Sequence, residues 1–314
     1  MIARAPLLFP LPGNETMAER LALALDAEVG EVAMRDFPDG ETYVRLLTDP
    51  AGRQVGIVGT LARPNDKILP LLFLAGAARQ LGAARTGIIA AYLAYMRQDA
   101  RFHPGEAITA RLFADVISRA ADWLITIDPH LHRIAELDTI YRVPATAVHV
   151  AELLGAWIVG NVSQPLIIGP DEESRQWVSG VAAAASAPFV VLSKVRKGDE
   201  DVDISLPDLT GYQGYTPVLV DDIISSGHTM LAALRQLRRA TAAGAPPVCV
   251  AVHALFDAGV HDRLVAAGAA RIVTTNTIPH TSNGIDVVPA LATALRDQFA
   301  AAADRGGALN ERAP

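Results

Sequence analysis

The stretch Thr216-Pro-Val-Leu-Val-Asp-Asp-Ile-Ile-Ser-Ser-Gly-His-Thr-Met230 decides the fold. Its opening residues, Pro217–Val220, are apolar without alternation, the mark of a strand covered on both faces. Two acids, Asp221 and Asp222, end that run. A turn of small and hydroxyl residues follows, and a helical pattern begins at Thr229 and runs to Ala242. Working outward, the same order recurs. Short apolar runs lie at Pro6–Phe9, Val32–Arg35, Val55–Gly59, Gly87–Tyr92, Trp123–Ile127, Ala147–Val150, Leu166–Gly169, Phe189–Leu192, Val248–Leu255 and Ile272–Thr275. Helical stretches separate many of them. Asn65–Leu81 opens on an N-cap signal and stops at Gly82, and Gly105–Ala121, Ser174–Ala184 and Pro289–Ala301 read similarly. Strand–helix alternation predicts parallel sheets with right-handed crossovers, an α/β architecture.

The pattern runs twice, over residues 1–148 and 149–290, with no sequence repeat to accompany it. The helix and tail at 291–314 are compatible with either half, and the chain from Arg305-Gly306-Gly307 onward is expected to fray. Two domains agree with 314 residues at about 150 per domain. A hydrophobic share of 51% against 19% charged excludes a disordered chain. The net charge of −7 argues against a nucleic-acid binder, which carries a basic face. The single cysteine, Cys249, excludes an intrachain disulfide and a multi-cysteine metal cluster, and its apolar neighbours predict a buried, inert thiol. Residues Met1–Pro12 lack a signal-peptide pattern. The longest apolar run, Ile68–Ala78, is broken by Pro70 and too short to span a membrane. The expectation is a cytoplasmic protein without membrane or nucleic-acid partners.

The segment at 221–229 carries the chemistry. Successive backbone N–H groups at a helix start form an anion site, and Ser225, Ser226 and Thr229 add hydroxyl donors. Asp221 and Asp222 stand at the carboxyl end of a strand, where open α/β sheets bind ligands, with acceptors for a ribose diol. Taken singly, each feature is a strand end or a helix cap; together they fit a sugar phosphate. The chain has no Walker A pattern, which excludes a P-loop kinase.

This segment resembles the phosphoribosyl pyrophosphate loop of type I phosphoribosyltransferases. Five more segments resemble the ribose-phosphate pyrophosphokinases within that group. They are Asp36-Phe37-Pro38-Asp39-Gly40-Glu41, Tyr95-Met96-Arg97-Gln98-Asp99-Ala100-Arg101, Asp128-Pro129-His130-Leu131-His132, Gly169-Pro170-Asp171 and Ser193-Lys194-Val195-Arg196, with Gly13-Asn14 ahead of the first helix as a sixth mark. The first is also a strong turn signal by itself. The resemblance spans roughly residues 5–290 and implies two type I phosphoribosyltransferase-like domains, the first facing ATP and the second carrying the ribose 5-phosphate loop.

The activity it implies is magnesium-dependent transfer of pyrophosphate from ATP to ribose 5-phosphate, giving 5-phosphoribosyl 1-pyrophosphate and AMP. Lys194 and Arg196 are implied to carry the transition-state charge. Phe37, Asp39 and Glu41 would hold adenine in a neighbouring subunit, so at least a homodimer is expected. Arg97, Gln98 and Asp99 complete the ATP side. Magnesium would sit by His130 and Asp171. Ser225, Ser226, Gly227, His228 and Thr229 would hold the 5-phosphate, and Asp221 and Asp222 the ribose hydroxyls. Three positions depart from the family pattern: Ala100 where a basic residue is usual, His228 where a small one is, and Glu172-Glu173 in place of a glycine-rich turn. The alternatives are an ordinary phosphoribosyltransferase, which has no use for the 37–41 and 97–99 segments, and a catalytically inactive regulatory homologue.

Overall fold

The computed structural model describes residues 4–196, 202–205, 207–240 and 244–310, with backbone only at 194–196, 202–205, 240 and 302–310. It divides into two compact units, Met1–Val148 with Val288–Pro314, and His149–Val287.

In chain order the first unit holds β1 Leu7–Pro10, α1 Glu15–Leu25, β2 Glu28–Val29, β3 Val32–Asp36, β4 Thr42–Leu46, β5 Gln54–Thr60, α2 Asn65–Gln80, β6 Arg85–Tyr92, α3 Thr109–Ala120, β7 Trp123–Ile127 and β8 Ala145–Val148. Six strands form one parallel sheet in the order β2-β1-β5-β6-β7-β8. β6 from Thr86 onward and all of β7 are buried because helices cover the sheet, and apart from Thr86 and Thr126 these buried positions are apolar or glycine, without a polar alternation. α3 shows how a helix meets it. Ala110, Phe113, Ala114 and Ile117 recur at helical spacing and are buried, while Leu112 faces solvent.

The second unit continues with α4 Ala151–Asn161, β9 Pro165–Gly169, α5 Arg175–Ala184, β10 Phe189–Val191, β11 Ser193–Arg196, β12 Val202–Ser205, β13 Thr216–Ile224, α6 His228–Ala240, β14 Val248–Ala254, α7 Ala258–Ala266, β15 Arg271–Thr275 and β16 Asn283–Ile285. Its six-stranded parallel sheet runs β10-β9-β13-β14-β15-β16. The order of connections repeats that of the first unit. Each unit also carries an antiparallel ribbon between its sheet-edge strand and the third strand: β3–β4 in one, β11–β12 in the other. Cys249 lies fully buried in β14.

The last helix, α8 Val288–Asn310, joins the first unit. Phe299 meets the Trp123 ring edge-on at 5.8 Å, and Arg296 donates to the Ala24 carbonyl at 2.6 Å, satisfying an end carbonyl of α1. Trp123 is fully buried, and truncating a side chain of that size to Ala costs about 3–5 kcal/mol. The helix continues through Gly306-Gly307 to Asn310, where fraying was expected.

Other boundaries shift as well. β13 runs on to Ile224, so Asp221 and Asp222 lie inside the strand and not beyond its end; Asp221 still pairs with Ala251 of β14. Asn65 is the first helical residue of α2 and makes no cap, because Pro64 takes the N-cap position. The opposite end forms as expected: Gly82 N–H bonds Arg79 and Ala83 N–H bonds Ala78. Among the described residues, no helix is long and apolar enough to cross a membrane.

Candidate active site

Most sequence-predicted residues lie at the carboxyl edge of a parallel sheet or on a ribbon, and their local geometry follows from those supports. In the second unit β9 and β13 are hydrogen-bonded neighbours. That adjacency sets Asp171, just past β9, close enough to Asp221 for their charges to interact. Burial above all, and then the carboxylates of Asp222 and Asp171, push the Asp221 carboxyl well above the ordinary range. Asp222 N–H donates to Asp221 Oδ1 at 3.1 Å. Asp171 accepts from Ser174 N–H at 3.2 Å, fixing the turn into α5. Three like charges share this edge, and a hard divalent cation takes such a donor set. The Glu172 departure is an ion pair at the start of this helix: Arg175 donates to Glu172 at 2.5 and 2.9 Å in solvent.

The loop after β13 reaches Gly227, whose φ of +74° is the left-handed region that a glycine supplies without strain. Leu231 N–H bonds the Gly227 carbonyl at 2.8 Å and opens α6 at His228. The N–H groups ahead of that bond are those of a helix start. Among the described residues, the hydroxyls of Ser225, Ser226 and Thr229 have no partner in the protein. His228 is exposed and Thr229 half-buried. Hydroxyls, N–H groups and the positive end of a helix thus converge where a phosphate would be bound.

In the ribbon β11–β12, Lys194 and Arg196 sit two residues apart on β11, paired with Ile204 and Val202. Their side chains lie outside the described residues, as do Lys197 through Asp201.

In the first unit the ribbon β3–β4 presents Phe37. Its N–H bonds the Glu41 carbonyl at 2.7 Å, and Gly40 N–H returns to the Phe37 carbonyl at 2.8 Å. The Pro-Asp-Gly run therefore makes the hairpin turn that its composition predicts, and the ring on it is 40% exposed. Arg35, which sequence reading did not single out, lays its guanidinium 4.6 Å from the Phe37 and Tyr43 ring centres. Asp39 and Glu41 are exposed, and Asp39 Oδ1 accepts from Glu41 N–H at 3.2 Å.

The segment after β6 separates its three residues. Arg97 is exposed and Gln98 half-buried, whereas Asp99 is buried. Asp99 accepts from the Arg133 backbone N–H at 3.1 Å and pairs with its guanidinium at 3.3 Å. It anchors the 130–133 segment. Arg133 was legible only as a basic residue near a histidine pair. Arg101 turns back, donating to the Glu106 carbonyl at 3.0 Å. His130 and His132 pack edge to face, with ring centres 4.0 Å apart.

Two strained residues mark this edge. Tyr95 has φ +62° and Asp128 φ +28°, each just after a strand. The Tyr95 hydroxyl bonds Asn65 Oδ1. Lys67 donates to the Thr60 carbonyl at 2.8 Å, with its amine pulled below its ordinary value by burial first and Arg63 second. The positive φ of Tyr95 and Asp128, the Tyr95–Asn65 bond and the Lys67–Thr60 bond carry no sequence signal, because each depends on strand ends brought together from separate segments.

Comparison with known proteins agrees at both units. Residues 7–121 match the family model for the N-terminal domain of ribose phosphate pyrophosphokinase, and 136–290 that for the phosphoribosyl transferase domain. The ribose-phosphate pyrophosphokinase of Methanopyrus kandleri is 36% identical over 286 residues, covering 90% of this chain and 95% of that protein. The one from Sulfurisphaera tokodaii is 34% identical over 282 residues, covering 87% and 94%. The crystal structure of phosphoribosylpyrophosphate synthetase from Mycobacterium smegmatis superposes with a TM-score of 0.83 at 25% identity, covering 94% of this chain and 99% of that one. With both halves matched in order and nearly end to end, the chain belongs to the ribose-phosphate pyrophosphokinase family.

Proposed function

We propose that the chain transfers the β,γ-pyrophosphoryl group of ATP to the 1-hydroxyl of ribose 5-phosphate. The hydroxyl oxygen attacks the β-phosphorus, and the bond from that phosphorus to the α,β-bridging oxygen breaks. AMP leaves with that oxygen, and the hydroxyl proton passes to solvent. The observation that carries the acceptor side is the 221–229 segment, with its acidic pair, unengaged hydroxyls and helix start on one continuous strand–loop–helix stretch. Membership of the family and the first unit's match to its N-terminal domain carry the ATP side.

Such chemistry rests on alignment and charge neutralisation, without a covalent intermediate. Ser225 to Thr229 bind the 5-phosphate. Asp221 and Asp222 orient the ribose hydroxyls. Arg97 meets the triphosphate and Gln98 the base, with Asp99 positioning its neighbours through Arg133. Phe37 offers a ring face to adenine, and Asp39 and Glu41 accept from the base and ribose, in a partner subunit's site. Lys194 and Arg196 oppose the charge of the transition state. His130 in the first unit and Asp171 in the second are assigned as magnesium ligands. The crowded carboxylates of the second unit fit this ion, which when bound supplies positive charge to phosphate oxygens.

The test is an assay of purified protein with ATP, ribose 5-phosphate and magnesium, following AMP. AMP that requires all three establishes the reaction. No AMP, with phosphoribosyl pyrophosphate still bound, moves the chain to base transfer or a regulatory role. Sharing of the ATP site is tested by mixing two inactive variants, Phe37→Ala and Lys194→Ala. Activity regained in the mixture supports it, and none regained counts against it.

A further inference from the structure

A groove of about 410 Å³ opens between α6 and α7 in the second unit, a volume in the range of small-molecule sites. Leu231 and Ala267 supply its apolar surface, and Arg235, Arg238, Arg239 and Arg263 line the rest. Arg238, Arg239 and Arg263 each stand in the last turn of a helix, where a cation complements the backbone dipole. That account covers each residue alone. It does not explain why four guanidiniums share one concavity, or why Arg235 joins them a turn earlier.

Among the described residues, no carboxylate pairs with any of the four. Asp262, beside Arg263 in sequence, faces His261 at 3.5 Å. Like charges gathered in a concavity with an apolar floor focus a positive potential, and they do so in a chain of net charge −7. Gly268 adds a packing argument. Its φ of +104° suits a helix end, but a Cβ there would also lie 2.5 Å from Arg238 Cδ and 3.0 Å from an Nη atom. The Arg238 stem lies on bare backbone, and a larger residue would displace it. On the groove's other side, Arg263 donates to the Ser226 carbonyl at 3.4 Å.

We propose that this groove binds a small anion carrying two or more phosphates. A guanidinium fork matches phosphate oxygens bidentately. Four cations exceed the charge of one phosphate, about −2 near neutral pH, so charge balance calls for a multiply phosphorylated ligand.

The test is calorimetric titration of the full chain with inorganic tripolyphosphate, without magnesium and at fixed ionic strength. Three proteins are compared: wild type, Arg235→Ala/Arg239→Ala, and Ser225→Ala/Thr229→Ala. The wild type is expected to show one class of site beyond those of the ATP and ribose 5-phosphate sides. The arginine variant should lose that additional class, and the loop variant should keep it. Each lost guanidinium weakens the groove class by about tenfold or more. Arg235→Lys/Arg239→Lys keeps the charge without the fork and should bind with intermediate affinity. Arg235 and Arg239 are exposed, so circular dichroism should match wild type in both variants. An isotherm unchanged in Arg235→Ala/Arg239→Ala overturns the proposal. So does sulfate that competes as well as tripolyphosphate at equal ionic strength.

Discussion

Replacing Gly227 by Ala tests whether the phosphate loop is held by packing as well as by hydrogen bonds. Gly227 sits at φ +74°, and an added Cβ would lie 2.6 Å from Val260 Cγ1. Optimal carbon–carbon separation is about 3.5–4.0 Å, so the contact is repulsive. Val260 is buried and its N–H bonds the Asp257 side chain at 3.0 Å, so it cannot retreat without disturbing the first turn of α7. The left-handed backbone costs a non-glycine residue about 1–2 kcal/mol and overpacking about 1–3 kcal/mol, about 2–5 kcal/mol together. At about 2–4 °C per kcal/mol the thermal midpoint falls by at least about 4 °C. Midpoints are compared directly, because a chain of two compact units need not melt in two states. The loop N–H groups move with the clash, so the apparent KM for ribose 5-phosphate rises on the order of tenfold or more. Val260→Ala removes the methyl that clashes. In the double-mutant cycle it should recover about 1 kcal/mol or more of the Gly227→Ala loss, leaving the backbone term. A Gly227→Ala midpoint within about 2 °C of wild type refutes the reasoning, as does a cycle with no coupling.

Lys194→Ala should lower kcat by about a hundredfold or more, the usual size for an electrostatic donor in the transition state, and steady-state AMP formation measures it. Magnesium should raise the wild-type midpoint at matched ionic strength by relieving the crowding around Asp221, and chelation should reverse it; Asp171→Asn should shrink the increment. His280 accepts from Ser282 N–H at 3.1 Å through Nδ1, and burial first, then His261, holds its pKa below 6.5. The fold thus prefers the neutral ring: its contribution is complete above pH 6.5 and declines as pH falls through the lowered value. The midpoint should therefore drop more between pH 7 and 5 in wild type than in His280→Asn. Cys249, with its thiol pushed up to about 12 by burial, should resist a thiol reagent at pH 8 and react once the chain is denatured.

Local chemistry carried much of the reading. An apolar run followed by acids, hydroxyls and a helix start is a strand–loop–helix unit wherever it folds, because its interactions lie within a dozen or so residues. The Pro38-Asp39-Gly40 hairpin and the Gly82 helix stop are local in the same sense. The repeated sheet order of the two units left no sequence repeat, since a parallel strand requires only an apolar run and a breaker. Long-range contacts decided the rest. The pairing of β9 with β13 brings Asp171 within reach of Asp221, and it is this neighbour, with burial, that shifts the carboxyl. Trp123 and the Ala24 carbonyl draw the last helix to the first unit, past all of the second in sequence. Arg133 finds Asp99 across 34 residues, and Gly268 clears space for Arg238. Periodicity records which face of an element is buried; it does not record which other element covers that face, and the charges and contacts of the site depend on that second fact.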